Sequence, residues 1–164
     1  MTTPTTPVTT PTPLNGLTLS VTKPFSPTLY KANDNAKLLV IKWLDLEGYD
    51  ARVNPDDYGI DLLAVHKKSK KKIGVEVEVK HNWVGERFPF SDVHIPYRKL
   101  KFAHPDTFFA MLNSDRTCIL TVRGSLVASS PVVTKTTKYT ATEKFFEVSL
   151  SNCHIDRMMI FRGE

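Results

Sequence analysis

The sequence predicts an α/β fold with a central mixed sheet, and three observations favour it. Apolar residues at helical spacing run from about Asn33 and stop at Gly48. Two strongly apolar segments, 60–66 and 73–80, follow as strands on either side of a lysine-rich turn. The chain has 164 residues, of which 41% are hydrophobic, and this is enough for one domain with a buried core.

The remaining elements follow in order along the chain. Asn33 or Asp34 can cap the first helix, and a short strand at 51–53 precedes a turn at 55–59. Beyond the 73–80 strand, five further segments are expected: a short helix at 95–102, strands at 107–112 and 117–122, and edge strands at 145–148 and 158–161. The expected order is therefore a helix, three strands, a helix, a strand and β additions in one mixed sheet.

The domain is expected to begin after a Thr/Pro-rich arm. Eleven of the first thirteen residues are Thr or Pro, which offer little apolar surface to offset the entropy lost on ordering. We therefore predict a disordered arm over residues 1–30, either a solvated tail or a segment that docks another protein. Residues 31–164 are predicted to form a single domain, with its core at 33–112 and a C-terminal β extension at 113–164.

Composition excludes several classes of protein. The chain has no run of about 20 apolar residues, so no membrane span is expected, and its beginning lacks the basic and apolar regions of a secretory signal. The two cysteines, Cys118 and Cys153, form no Cys-x-x-Cys pair, and this favours a reducing, cytoplasmic environment. With 22 Lys and Arg against 17 Asp and Glu, the net charge of +5 permits a polyanionic partner.

The 73–80 strand alternates valines with charged residues. Glu76, Glu78 and Lys80 lie two positions apart, so a strand directs all three to one face while the valines face the core. An ordinary half-exposed strand gives the same pattern, with its charges solvated.

The preceding hairpin favours a site. If the turn is centred between Ser69 and Lys70, cross-strand partners have numbers that sum to 139, and Asp61 faces Glu78. Two carboxylates about 5 Å apart repel unless a cation lies between them. Carboxylate oxygens are the ligands that Mg²⁺ and Mn²⁺ prefer.

This arrangement resembles a known family. Gly59-Ile60-Asp61, a hairpin, and Glu78-Val79-Lys80 resemble the motif of the PD-(D/E)xK nuclease superfamily, which includes small phage-type, restriction-endonuclease-like and Holliday-junction-resolvase-like proteins. The resemblance covers roughly half of the chain, residues 33–112, and implies an αβββαβ core. It implies a Mg²⁺- or Mn²⁺-dependent nuclease in which Asp61, Glu78 and the backbone carbonyl of Val79 bind the metal ion. Lys80 would orient the attacking water.

The sequence does not decide the roles of two further acidic positions. Many relatives add an acid from the first helix, and Asp34 is the candidate, although Asp45 and Glu47 lie near the other end of that helix. Glu76 either binds a second metal ion or is a solvated neighbour of Glu78 on the same face.

Basic residues are candidates for nucleic-acid contacts. In the 95–102 helix, Arg98 and Lys99 could clamp a phosphate, or they could form an exposed basic face. The turn lysines could contact phosphates or serve solubility, and these are Lys67, Lys68, Lys70, Lys71 and Lys72.

The leading hypothesis is a metal-dependent endonuclease that acts on DNA in the cytoplasm, for example that of a phage-infected host cell. It has no membrane partner, and a homodimer is one assembly that it could form. The alternative is a catalytically silent nuclease-fold module that binds nucleic acid or takes part in assembly. A structural β-rich protein is the third reading.

Overall fold

The fold is described by a computed structural model for residues 27–139 and 141–158. Most of the expected arm, and residues 159–161 of the last expected strand, lie outside the described residues. The helical segments are α1 (Pro27–Leu46), α2 (Gly124–Ala128) and two 3₁₀ helices, Tyr97–Phe102 and Leu150–Asn152. The strands are β1 (Tyr49–Val53), β2 (Leu62–His66), β3 (Lys72–Lys80), β4 (Asp92–Pro96), β5 (Thr107–Asn113), β6 (Cys118–Arg123), β7 (Val132–Lys135), β8 (Glu143–Ser149) and β9 (His154–Arg157).

The main sheet has six strands in the order β9-β6-β5-β3-β2-β1. Strands β3 and β5 pair in parallel, and the other neighbours pair antiparallel. The predicted mixed α/β architecture with a central mixed sheet is thus confirmed. Strand β3 lies inside this sheet: residues 72–75 pair with β2, and the ladder with β5 runs from Gly74 to Lys80 and so includes Glu76 and Glu78.

A second, three-stranded antiparallel sheet in the order β4-β8-β7 departs from the one-sheet expectation. The predicted helix at 95–102 is wrong in its first turn, because Ile95 and Pro96 belong to strand β4 and only the 3₁₀ helix follows. The physical reason is the alternation of buried Val93 and Ile95 with half-buried neighbours, a strand pattern that pairs with β8.

Helix α1 begins at Pro27, before the expected caps at Asn33 and Asp34 and before the expected domain boundary at 31. It ends near Gly48 as predicted. Gly48 adopts φ +94°, a left-handed conformation that closes a helix without the steric penalty of a Cβ. Within the part of the chain that the structure describes, no helix is long and apolar enough to cross a bilayer.

Two cores lie on opposite faces of the main sheet. On one face α1 packs on the sheet, and this core includes Ala36, Val40, Leu44 and the β3 valines Val75, Val77 and Val79. On the other face the second sheet covers β5 and β6, and this core includes Trp83, Ile95, Met111, Leu120 and Phe146. Glu76, Glu78 and Lys80 alternate with the valines, so they lie on the second face, beside that second core.

Candidate functional site

The register between β2 and β3 determines which acids meet. Leu62 pairs with Val75, and Leu63 pairs with Gly74, so partner numbers sum to 137. Continuing that register by one residue places Asp61 beside Glu76. The predicted pairing of Asp61 with Glu78 is therefore wrong by two residues. Asp61 precedes the first residue of β2, and its carboxylate accepts a hydrogen bond from the backbone of β3, so it lies beside Glu76 at the end of the hairpin ladder.

Asp61 and Glu76 are fixed to each other's strands by backbone hydrogen bonds. The backbone N–H of Asp61 donates to Oε1 of Glu76 (3.2 Å), and the backbone N–H of Val77 donates to Oδ2 of Asp61 (2.8 Å). The other carboxylate oxygen of Asp61, Oδ1, lies 3.4 Å from Nζ of Lys37 in α1. Both carboxylates are therefore held in place before any ligand arrives.

Glu76 also forms an ion pair with Lys99, which the 3₁₀ helix supplies. Nζ of Lys99 donates to Oε2 of Glu76 across 2.8 Å, and the Glu76 side chain is only 9% exposed. Burial raises the pKa of the Glu76 carboxyl, Lys99 lowers it in part, and the neighbouring Asp61 carboxylate raises it again, so the net direction is upward. For Lys99, burial opposes the charge, but the carboxylates of Glu76, Glu78 and Asp61 outweigh it and raise the pKa of the ammonium.

Glu78 and Lys80 form the outer part of the group. Oε2 of Glu78 lies 3.3 Å from Nζ of Lys80, and their side chains are 35% and 17% exposed. Nζ of Lys80 also donates to the backbone carbonyl of His94 in β4 (2.8 Å). The side chain of Val79 is buried on the α1 face, and a role for its carbonyl stays a prediction.

We call this group the carboxylate–lysine cluster: Asp61, Glu76 and Glu78 with Lys37, Lys80 and Lys99. Three carboxylates meet three ammonium groups, so the formal charges cancel. Among residues 27–139 and 141–158, no three or more His, Cys, Asp and Glu side chains are arranged to hold a metal ion together.

The chemistry of the donor set nevertheless fits a hard divalent cation. Mg²⁺ is commonly bound through one or two carboxylates, with water or substrate oxygens completing its shell. Asp61 and Glu76 are two such carboxylates, and each already has an ammonium group beside it, Lys37 for Asp61 and Lys99 for Glu76.

The other predicted basic residues lie away from this cluster. Arg98 is exposed and forms an ion pair with Glu143 (2.8 Å). The turn lysines are all exposed, and Lys67 forms an ion pair with Asp45. At about 3.3 Å per residue, the start of β3 at Lys72 lies about 20 Å from Glu78. The turn and the cluster are thus at opposite ends of the hairpin. The side chain of Asp34 lies outside the described residues.

Sequence reasoning missed two contributions. The first is Lys37, which follows Ala36 in the apolar stripe of α1. Helical spacing places Lys37 at the border of the buried face, so the sequence did contain a signal for its position. The other is the outer side of β4, where Nε2 of His94 lies 3.1 Å from Glu147 and Nδ1 lies 3.2 Å from Nζ of Lys135. No local motif connects those three residues.

Comparisons with known proteins give structural similarity without a match in sequence. No protein-family model and no curated protein matches the sequence. Among solved structures, the chain is similar to Hjc of Archaeoglobus fulgidus, a Holliday junction resolvase from an archaeal hyperthermophile. The identity is 7% and the TM-score 0.44, with 73% of this chain and 93% of that chain covered.

Proposed function

We propose that the protein is a metal-dependent nuclease that hydrolyses phosphodiester bonds, with DNA as its substrate. The observation that supports this proposal is the grouping of Asp61 with Glu76, Glu78 and Lys80 of β3, in which backbone N–H groups fix the first two carboxylates. Paired acids next to an ammonium group are the residue types that metal-assisted hydrolysis of a phosphodiester requires.

In this proposal Asp61 and the acids of β3 bind Mg²⁺ or Mn²⁺, with the carbonyl of Val79 as a further ligand. The ion, when bound, lowers the pKa of a water molecule and neutralises charge on the phosphate. Lys80 orients the attacking water, and its ammonium is held in place by Glu78 and by the His94 carbonyl. Because a backbone carbonyl cannot rotate away, the ammonium keeps one orientation.

The polyanionic substrate is proposed from charge. The chain carries a net charge of +5, and its exposed basic residues include Arg98 and the turn lysines. Phosphate contacts by such residues give affinity without sequence preference. A homodimer that cuts two strands, and a protein partner for the Thr/Pro arm, belong to the same proposal.

The test is cleavage of supercoiled, linear, branched and single-stranded DNA by the purified protein with Mn²⁺. Glu78→Gln and Lys80→Met should each abolish cleavage while the protein still folds, because neither side chain belongs to a hydrophobic core. The matched control is Glu86→Gln, which breaks an exposed ion pair with Arg157 (2.7 Å) and should cleave normally. Wild-type protein that leaves all four substrates intact would remove the nuclease proposal.

One observation favours a second candidate, a catalytically silent nuclease-fold module that binds nucleic acid. Each carboxylate of the cluster already has an ammonium group within 3.4 Å, so the cluster is charge-balanced without a metal ion. A silent module should show no rise in melting temperature with Mn²⁺ or Mg²⁺, whereas ligand binding to the folded state alone must raise it.

A further inference from the structure

Lys99 differs from its neighbours in the 3₁₀ helix. Tyr97, Arg98, Leu100 and Lys101 are exposed, whereas the side chain of Lys99 is only 20% exposed and points to Glu76. A lysine that served only as a phosphate clamp would be expected on the open side of this helix. Its position therefore links it to the carboxylates.

The 3₁₀ helix is itself anchored. The ring of Tyr97 packs at 5.1 Å from that of buried Phe146, and the N–H of Ala103 donates to the carbonyl of Leu100 (2.9 Å). The hydroxyl of Thr107 bonds the carbonyl of His104 just beyond the helix (2.8 Å). The Lys99 ammonium thus reaches the cluster from a fixed backbone.

Both oxygens of Glu76 are already engaged. Oε1 accepts from the N–H of Asp61, and Oε2 accepts from Lys99. A divalent cation and an ammonium group repel each other and compete for the same oxygen. Oε2 has a second lone pair, but a metal ion there would lie next to the Lys99 ammonium in a nearly buried site, and the repulsion between the two cations favours displacement of the ammonium.

We propose that Lys99 is an internal counter-ion of the cluster, and that a divalent cation which binds Glu76 displaces the Lys99 ammonium from Oε2. This inference rests on the proposed function, since it concerns the metal ion that the nuclease would use. The ammonium balances the charge of the nearly buried Glu76 carboxylate in the metal-free protein and lowers the affinity for the metal ion. Lys99 acts here as a positioning residue.

The first test is calorimetric titration of the full chain with Mn²⁺. Lys99→Met removes the competitor, so its Kd for Mn²⁺ should fall by about tenfold or more relative to wild type, the size expected for one lost charge-assisted hydrogen bond. The control Lys101→Met removes an exposed lysine from the same helix and should bind as wild type does. A Kd for Lys99→Met that is equal to or weaker than the wild-type value would overturn the inference.

A second test uses the wild-type protein, so it does not depend on the folding of a variant. Reductive methylation followed by mass spectrometry measures how readily each lysine reacts. Lys99 should be protected without metal and should react several-fold faster at saturating Mn²⁺, while Lys101 reacts equally in both states. An unchanged rate at Lys99 under saturating Mn²⁺ would overturn displacement.

The outcomes separate this inference from the nuclease proposal. If Lys99→Met binds Mn²⁺ more tightly and the wild type does not cleave DNA, the exchange of the Lys99 ammonium for the metal ion is supported and only the nuclease proposal fails. If the wild type cleaves DNA and Lys99→Met binds Mn²⁺ with unchanged affinity, only the exchange is contradicted. If neither protein binds Mn²⁺, the exchange is overturned whatever the cleavage assay shows.

Discussion

Lys80 donates a hydrogen bond to the backbone carbonyl of His94 across 2.8 Å, and this bond joins the main sheet to the second sheet. The ammonium also lies 3.3 Å from the Glu78 carboxylate. Lys80 therefore donates a hydrogen bond to a carbonyl of the second sheet and balances the charge of a carboxylate in the main sheet. It has a structural role in addition to its proposed catalytic one.

Replacing Lys80 should lower stability as well as activity. Lys80→Met leaves the His94 carbonyl and the Glu78 carboxylate without this partner, so we expect the free energy of unfolding to fall by about 1–3 kcal/mol. Urea denaturation measures this change. The control Lys72→Met, at an exposed position at the start of β3, should change it by less than about 0.5 kcal/mol. Equal stabilities for the two variants would contradict the role of the carbonyl contact.

Asn113 should be essential for the turn between β5 and β6. It is fully buried, its amide donates to the Gly85 carbonyl (2.8 Å) and its oxygen accepts from the N–H groups of Thr117 and Cys118 (2.8 and 3.0 Å). Asn113→Ala leaves several buried polar groups unsatisfied, so a loss of about 3 kcal/mol is expected. Thermal or urea unfolding checks this, and a loss below about 1 kcal/mol would argue against the network.

Trp83 should behave as a core residue rather than as a base-stacking one. It is 0% exposed, whereas the next residue, Val84, is 72% exposed. Trp83→Ala should cost about 3–5 kcal/mol, while Val84→Ala should be nearly neutral. If Trp83→Ala instead kept its stability and lost affinity for single-stranded DNA, Trp83 would be assigned to contacts with bases and not to the core.

Cys153 should be slow to alkylate. Burial raises the pKa of its thiol to about 11, against an ordinary value near 9, so at pH 8 its thiolate fraction is about a hundredfold lower than that of an ordinary thiol. The pKa of this thiol is lower in the unfolded chain, near 9, so deprotonation favours unfolding. The neutral thiol therefore contributes to stability below about pH 9, and this contribution is lost as the pH rises toward 11. Iodoacetamide labelling against pH, read by mass spectrometry, should rise about tenfold per pH unit, and a peptide of residues 151–155 provides the reference rate.

The lysine turn should affect nucleic-acid affinity through salt. Lys68→Gln with Lys71→Gln removes two exposed charges from the turn, and if these contact phosphates the slope of log K against log salt should flatten by about 2. Filter binding or fluorescence anisotropy at several salt concentrations measures this slope. An unchanged slope would assign the turn lysines to solubility.

Much of the sheet could be predicted from the sequence because its strands have clear patterns. The alternation of valines with Glu76, Glu78 and Lys80 placed the acids on one face, and that holds in the structure. The hairpin register was not predictable in the same way. Lys70 in the turn adopts φ 65°, a left-handed conformation for which Gly or Asn is the usual residue. Because this turn contains a run of lysines, the sequence did not indicate where the turn is centred.

The second sheet could not be predicted for a different reason. Its strands β4 and β8 pair Val93 with Val148 and Ile95 with Phe146, contacts between residues about fifty positions apart. No local pattern specifies such pairing, and Pro96 with the basic residues after it favoured a helix. The partners of His94 and Lys99 were therefore hidden until the tertiary structure was known.

The hydrogen bond from Lys80 to β4 has a consequence for the order of folding. Strand β4 is paired with β8, so the carbonyl that receives Lys80 is stabilised by a segment that is synthesised after the cluster itself. A nascent chain ending near Arg123 would already contain every acid and lysine of the cluster and yet lack the strand that pairs with β4. We therefore expect the Lys80 ammonium to take its final position only after β8 has been made and paired.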